Sequence, residues 1–293
     1  MRDHSVKAAD GRVLHALEDG DPSGFPVVVH HGTPGCALLH DAHVEDAAAR
    51  GIRLVAYDRP GYAGSSRHAG RSVGDAATDV ATIADALGFE RLATWGISGG
   101  GPHALATAAL LPDRVVAAAS LAAVAPYDAE GLDFLEGMGE LNVVEFHAAR
   151  EGEAALRPNH ERDASAFVAA GPSGLRDGLA TLLSPVDAAE LDDDVAAHMY
   201  DSFAGALANG VDGWVDDDLA FASPRGFDVA DISVPLRLWQ GVEDRFVPPG
   251  HGRWLAGRIP GVEARITPDD GHLTLYTRRV PEVHAWLLEW ASA

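Results

Sequence analysis

The stretch Leu92-Ala93-Thr94-Trp95-Gly96-Ile97-Ser98-Gly99-Gly100-Gly101 decides the reading of the chain. Its first six residues are a mostly apolar run of strand length, with Thr94 the one polar side chain, as expected of a strand covered on both faces. The next residues open a helix that runs to Leu111 and stops at Pro112. Between strand and helix lies Gly-x-Ser-x-Gly, and the sharp turn there holds the central serine in strained backbone geometry with its oxygen exposed above the sheet. Small flanking residues let neighbouring chain segments come close. The orphan N–H groups at the helix start lie beside that oxygen and favour negative charge. Ser98 is therefore the candidate nucleophile.

Outward from this turn, short apolar runs alternate with amphipathic stretches, the pattern of βαβ units and a mostly parallel sheet. Strands are expected at Val27–His30, Leu54–Tyr57, Leu92–Ile97, Val115–Ser120, Leu236–Gln240 and Ala264–Thr267. An antiparallel pair, Val6–Ala8 and Arg12–Glu18, turns at Asp10-Gly11. Helices are expected at about Ala37–Arg50, Ser72–Leu87, Gly100–Leu111, His251–Ile259 and Leu275–Trp290. The alternation stops between 126 and 225, where one clear helix opens at Ser184-Pro185 with Asp187 completing a capping box and runs to Asn209-Gly210. Leu191, Val195, Met199, Phe203 and Leu207 form its apolar face. The expected organisation is a core from residues 1–125 and 226–293 and a helical cap from 126–225.

A serine hydroxyl needs a base, and the base needs an orienting group. His272, after the last expected strand and before the last helix, is the candidate base. Asp244, in the loop after Leu236–Gln240, is the candidate orienting acid, with Glu243 and Asp128 as alternatives. His31-Gly32-Thr33-Pro34-Gly35 leaves the carboxyl edge of the first core strand, so the backbone N–H of Thr33 can join that of Gly99 as an oxyanion hole. His103 reads as a packing or rim residue and His198 as solvated. His30 and His31 point to opposite strand faces, so no metal site is expected from them. Asp19–Gly24 lacks the glutamate of a calcium loop, and the glycines match neither a Walker loop nor a dinucleotide fingerprint.

With 293 residues, 47% hydrophobic and 23% charged, the chain has the composition of a soluble globular protein. Its net charge of −22 opposes binding to nucleic acid or anionic lipid. The single cysteine, Cys36, forms no internal disulfide, and the first residues hold no apolar signal core, so a cytoplasmic protein with no membrane partner is expected. Ten acidic residues, Asp187, Glu190, Asp192, Asp193, Asp194, Asp201, Asp212, Asp216, Asp217 and Asp218, are expected mostly on the cap's outer face, favouring neutral or cationic small-molecule substrates. Arg150, Arg157 and Arg225 are the candidate inner cations that would reverse this preference.

The motifs HGTPG (31–35), DRPGYAGSS (58–66), GISGGG (96–101), GVEDRFVP (241–248) and DGHLTL (270–275) resemble the capped α/β-hydrolase family. The order Ser98, Asp244, His272 is the order that family uses. The resemblance implies an α/β-hydrolase sheet flanked by helices with an inserted cap, a Ser-His-Asp triad, no cofactor, and ester or lactone hydrolysis. Tyr57–Gly61 matches a family loop of structural character. Rival readings are a proline-iminopeptidase-like aminopeptidase, from whose usual GxSWG the GISGGG departs, a C–C hydrolase or lyase, and a receptor-like binder with an intact triad. The family's dehalogenases and epoxide hydrolases use an aspartate nucleophile, so serine at 98 disfavours both.

Overall fold

The computed structural model describes residues 1–291. Eight strands form one sheet: β1 (Arg2–Lys7), β2 (Val13–Gly20), β3 (Phe25–His30), β4 (Ile52–Tyr57), β5 (Leu92–Ile97), β6 (Val115–Leu121), β7 (Leu236–Gly241) and β8 (Glu263–Thr267). Their spatial order is β1-β2-β4-β3-β5-β6-β7-β8. β1 and β2 pair antiparallel, and β2 meets β4 antiparallel. The remaining neighbours are all parallel. Every residue of β5 is buried, which is why its run is apolar without alternation.

On one face α1 (Asp41–Ala49) and α10 (Val280–Glu289) cover the sheet through Ala47, Val283, Trp286 and Leu287 against Val29, Trp95 and Trp239. On the other, α2 (Asp75–Leu87), α3 (Gly100–Leu110) and α9 (Pro249–Arg258) pack Ile83, Leu105 and Leu255 on Val28, Val55 and Leu238. α2 ends where Gly88 adopts φ 74°. The last helix is preceded by a wider π turn over Leu275–Arg279, so Leu275–Trp290 is two helical pieces.

Between β6 and β7 the chain is helical: α4 (Glu140–Glu151), α5 (Glu153–Gly178, broken at Gly171), α6 (Pro185–Glu190), α7 (Asp193–Ala206) and α8 (Asp212–Phe221). The single helix expected over 184–210 is thus two. Leu191 leaves helical geometry with ψ 74°, and Asp192 starts a new helix by accepting from the Val195 N–H at 2.9 Å. Both serine and aspartate caps are strong start signals, and here each is used. The apolar stripe does pack: Leu191, Val195, Met199 and Phe203 close on Leu175, Leu183 and Leu273. Leu273 belongs to the loop after β8, so this helical layer rests directly on that loop. Among the described residues no helix is long and apolar enough to cross a membrane.

Candidate active site

β3, β5, β6, β7 and β8 end at one edge of the sheet, and strand order reverses about β3, the place where ligands gather in open α/β sheets. Ser98 sits there, between β5 and α3, with φ +55°. A non-glycine residue in that region is held against about 1–3 kcal/mol of strain. The Ser98 N–H donates to Leu121 O at 2.9 Å and its carbonyl accepts from the Gly101 N–H at 2.9 Å, so the turn is tied to β6 and α3 at once. A Cβ on Gly99 would lie 2.1 Å from Thr33 Oγ1, so only glycine lets the loop after β3 approach the serine this closely.

His272 and Asp244 meet. His272 Nδ1 and Asp244 Oδ2 are 2.8 Å apart. Asp244 Oδ1 accepts from the N–H groups of Phe246 and Val247, both at 2.8 Å, which fixes the carboxylate's orientation. The Phe246 ring stacks on the imidazole at 4.5 Å. Burial opposes charge on His272, but the charge and hydrogen bond of Asp244, with Asp187 nearby, outweigh it and raise the imidazole above its ordinary value. Burial raises Asp244, with His272 opposing. Of the alternative acids, Glu243 is exposed, and Asp128 is exposed and 3.4 Å from Arg150.

Two cavities meet at the serine. The larger, about 460 Å³, is lined by Ser98, Thr33 and Gly99 and extends under α4, α5 and α8. The smaller, about 140 Å³, is lined by Ser98, Thr33, His272 and Phe246. No lysine or arginine lines either among the described residues. Arg150 bonds Ala222 O, Arg157 pairs with Glu153 and Asp212, and Arg225 is buried against Ala125 O.

The acidic run of the inserted helices is where the structure departs most from the sequence reading. Asp187, Asp216, Asp217 and Asp218 are buried, not on an outer face. Each has a partner, the usual condition for a buried carboxylate. Asp187 Oδ2 accepts from the His272 N–H at 3.0 Å and the Ser184 hydroxyl at 2.8 Å, while Oδ1 accepts from the Leu273 N–H at 2.8 Å. A Cβ on Gly271 would meet Asp187 Oδ2 at 2.3 Å, so the loop carrying His272 lies flush on this carboxylate. Asp217 braces the opposite side of the site. It accepts from Thr33 Oγ1 at 2.6 Å, Arg59 Nη2 at 2.6 Å, Arg71 Nη2 at 2.7 Å and Tyr62 OH at 2.9 Å. Burial opposes its charge, but Arg59 and Arg71 hold it well below the usual carboxylate range. Arg59, from the loop after β4, also donates to the carbonyls of His31 and Gly32, supporting the chain that presents Thr33.

Of the two other histidines singled out in the sequence, one differs from expectation and one agrees with it. His198 is half-buried on the wall of the smaller cavity, 3.0 Å from Tyr276 OH, and burial pushes it down to about 4. It is not solvated, because α7 turns it toward the core. His103 is fully enclosed, with Nδ1 2.6 Å from Gly99 O, and is a packing residue.

A strand-turn-helix serine, a histidine bonded to a buried aspartate and a mostly parallel sheet define a hydrolase-type α/β site. The chain belongs to the alpha/beta hydrolase fold family, whose pattern matches residues 26–278. It is 28% identical to epoxide hydrolase A of Mycobacterium tuberculosis over 97% of this chain and 95% of that protein. It is 34% identical to a non-heme chloroperoxidase of Streptomyces lividans over 42% of this chain and 45% of that one. An alpha/beta hydrolase fold protein from Nakamurella multipartita superposes with a TM-score of 0.65 at 27% identity, covering all of both chains. A thermophilic esterase from Thermogutta terrifontis shares the fold with a TM-score of 0.70 at 21% identity, over 99% and 100% of the two chains.

Proposed function

We propose that the protein is a serine hydrolase that cleaves a small-molecule carboxylic ester or lactone through an acyl-enzyme. The observation that carries the reading is the locked imidazole: with Nδ1 committed to Asp244, Nε2 is left as the base in the cavity that Ser98 shares. In the proposed reaction Ser98 Oγ attacks the carbonyl carbon and its proton passes to His272 Nε2, while Asp244 stays ionised and stabilises the imidazolium. The N–H groups of Thr33 and Gly99 form an oxyanion hole for the tetrahedral oxygen. Collapse expels the alkoxide, which takes the proton from His272. Water then attacks the acyl-Ser98 ester with His272 again as base, releasing the acid. The smaller cavity is the one that His272 lines, so it suits the alcohol that takes the proton from the imidazole, which leaves the larger one for the acyl group. No cofactor enters this sequence.

Serine also supports acyl transfer over epoxide opening on chemical grounds. Attack of a hydroxyl on an epoxide leaves an ether, which the same machinery cannot hydrolyse, whereas attack on a carbonyl leaves an ester, which it can. We assign residues 126–225 as a helical cap over a core of 1–125 and 226–293, the protein's place to the cytoplasm and its partner as a neutral or cationic small molecule. The test is a panel of 4-nitrophenyl esters and lactones together with a fluorophosphonate probe. Turnover and labelling that both vanish in Ser98→Ala support the reading; labelling that persists in the variant overturns it.

A further inference from the structure

The larger cavity is walled by apolar side chains such as Leu141, Phe146, Phe167 and Phe221. Each of its acidic or basic lining groups is a carboxyl: Glu145, Asp163, Asp177 and Asp218. Two of them meet inside it. Glu145 from α4 and Asp218 from α8 bring carboxyl oxygens within 4.8 Å of each other, and His160 Nε2 lies 2.7 Å from Asp218 Oδ2. His160 is buried, stacks on Trp214 at 4.0 Å, and its Nδ1 has no hydrogen-bond partner.

The neighbouring carboxylates on α8 show what is missing. Asp216 is matched by Arg67 at 2.8 Å, and Asp217 by Arg59 and Arg71. No arginine or lysine bonds Asp218 or Glu145 among the described residues. Burial pushes both carboxyls well above the ordinary range, with the charge of Asp218 adding to the effect on Glu145 and that of Asp217 to the effect on Asp218, so a proton stands where the neighbours have a guanidinium. Burial lowers His160, which is therefore a neutral partner. A carboxyl pair left to share a proton at the apolar wall of a cavity that the nucleophile also lines is a place for a cation brought by the substrate.

We infer that Glu145 and Asp218 form the recognition subsite for a protonated primary or secondary amine, so that the substrates are esters or lactones carrying an amine on the acyl side. The inference rests on the acyl-transfer reading, which makes this cavity the acyl pocket. On binding, the ammonium donates N–H bonds to the two carboxylates, and the proton they shared leaves to solvent. The same three side chains bring one potential metal-ligand atom each within 4.8 Å of one another. The 2.7 Å contact between His160 and Asp218 is nevertheless shorter than the roughly 3.3 Å that separates ligands around a tetrahedral zinc ion with bonds of about 2.0–2.1 Å.

The test compares kcat/KM for 4-nitrophenyl ω-aminoacyl esters of increasing chain length with their alkyl isosteres at low salt. At one chain length the amine should be preferred by tenfold or more, and Glu145→Gln and Asp218→Asn should each bring that ratio close to one. Ser98→Ala should bind the matching alkylamine with release of a proton, read calorimetrically in buffers of different ionisation enthalpy. No amine preference at any length overturns the inference, as does a ratio unchanged in both variants. Stoichiometric zinc or manganese binding that Glu145→Gln abolishes would replace it with a metal site. Alkyl-ester turnover that depends on Ser98 keeps the acyl-transfer reading standing in all these cases, and its absence refutes that reading separately.

Discussion

Replacing Asp187 by asparagine tests whether the inserted helices help to build the site or only cover it. The carboxylate has one good donor on each oxygen from the loop that carries His272, the His272 N–H at 3.0 Å and the Leu273 N–H at 2.8 Å, with Ser184 Oγ at 2.8 Å besides. An amide keeps one acceptor and turns its NH2 toward a buried N–H, whichever way it is flipped. A hydrogen bond to a charged group is worth about 1.5–3 kcal/mol and a buried donor left unpaired costs a similar amount, so the loss should be about 3–5 kcal/mol. For a chain of this size that is a fall in Tm of order 10 °C. The loop then carries His272 less accurately, and a displacement of about 1 Å can cost on the order of 10²-fold in kcat. Asp187 also contributes to raising His272, so its removal should move the pH limb of kcat/KM to lower pH. The other charged group facing the imidazole is Asp244, which is unaltered. Thermal melts and pH–rate profiles with 4-nitrophenyl acetate provide the readout. A wild-type melt refutes the structural argument. A lowered melt with unchanged kcat and unchanged pH limb refutes the claim that Asp187 positions the base.

In the wild type, kcat/KM should rise as His272 loses its proton, with an apparent pKa above the ordinary value of about 6.5, because Asp244 stabilises the imidazolium against burial; an apparent pKa below that ordinary value contradicts this. Asp217→Asn should unfold the protein more readily by about 3–5 kcal/mol, since Arg59 and Arg71 would be left buried without their anion, and urea denaturation reads it directly. Neutral short-chain esters should outpace their carboxylate-bearing analogues at low salt, with the gap narrowing as screening shortens to about 8 Å. A preference for the anionic ester would mean that the exposed acidic residues do not set selection.

Much of the architecture is legible in the sequence because it depends on local pattern. β5 is apolar but for Thr94 and ends in the glycine turn, and its expected bounds and the observed ones coincide. His272 and Asp244 can be named because each stands in a loop at the carboxyl end of a recognisable strand. Asp187 is visible in the sequence only as part of a helix cap, which is half of what it does. Its N–H donates to the Ser184 hydroxyl, while its carboxylate serves a loop 85 residues away. The burial of Asp216, Asp217 and Asp218 is hidden for the same reason. A run of three acids reads as a solvated face unless the arginines that meet it, Arg67, Arg59 and Arg71, are known to lie opposite. Likewise no spacing joins Glu145 and His160 to Asp218, since they come from α4, α5 and α8. The break at Leu191 escapes a pattern reading because the apolar repeat begins there, while Ser184-Pro185 gives a strong start signal upstream with no stop signal between them.

The central claim is a covalent acyl group on Ser98. Rapid mixing with excess 4-nitrophenyl acetate, acid quench and peptide mass spectrometry measures it. The account predicts an initial release of about one equivalent of nitrophenolate per chain whenever deacylation is the slower step, with an acetyl group on the peptide containing Ser98 and neither signal in Ser98→Ala. An acetyl group on a different residue, or full turnover by Ser98→Ala, would contradict it.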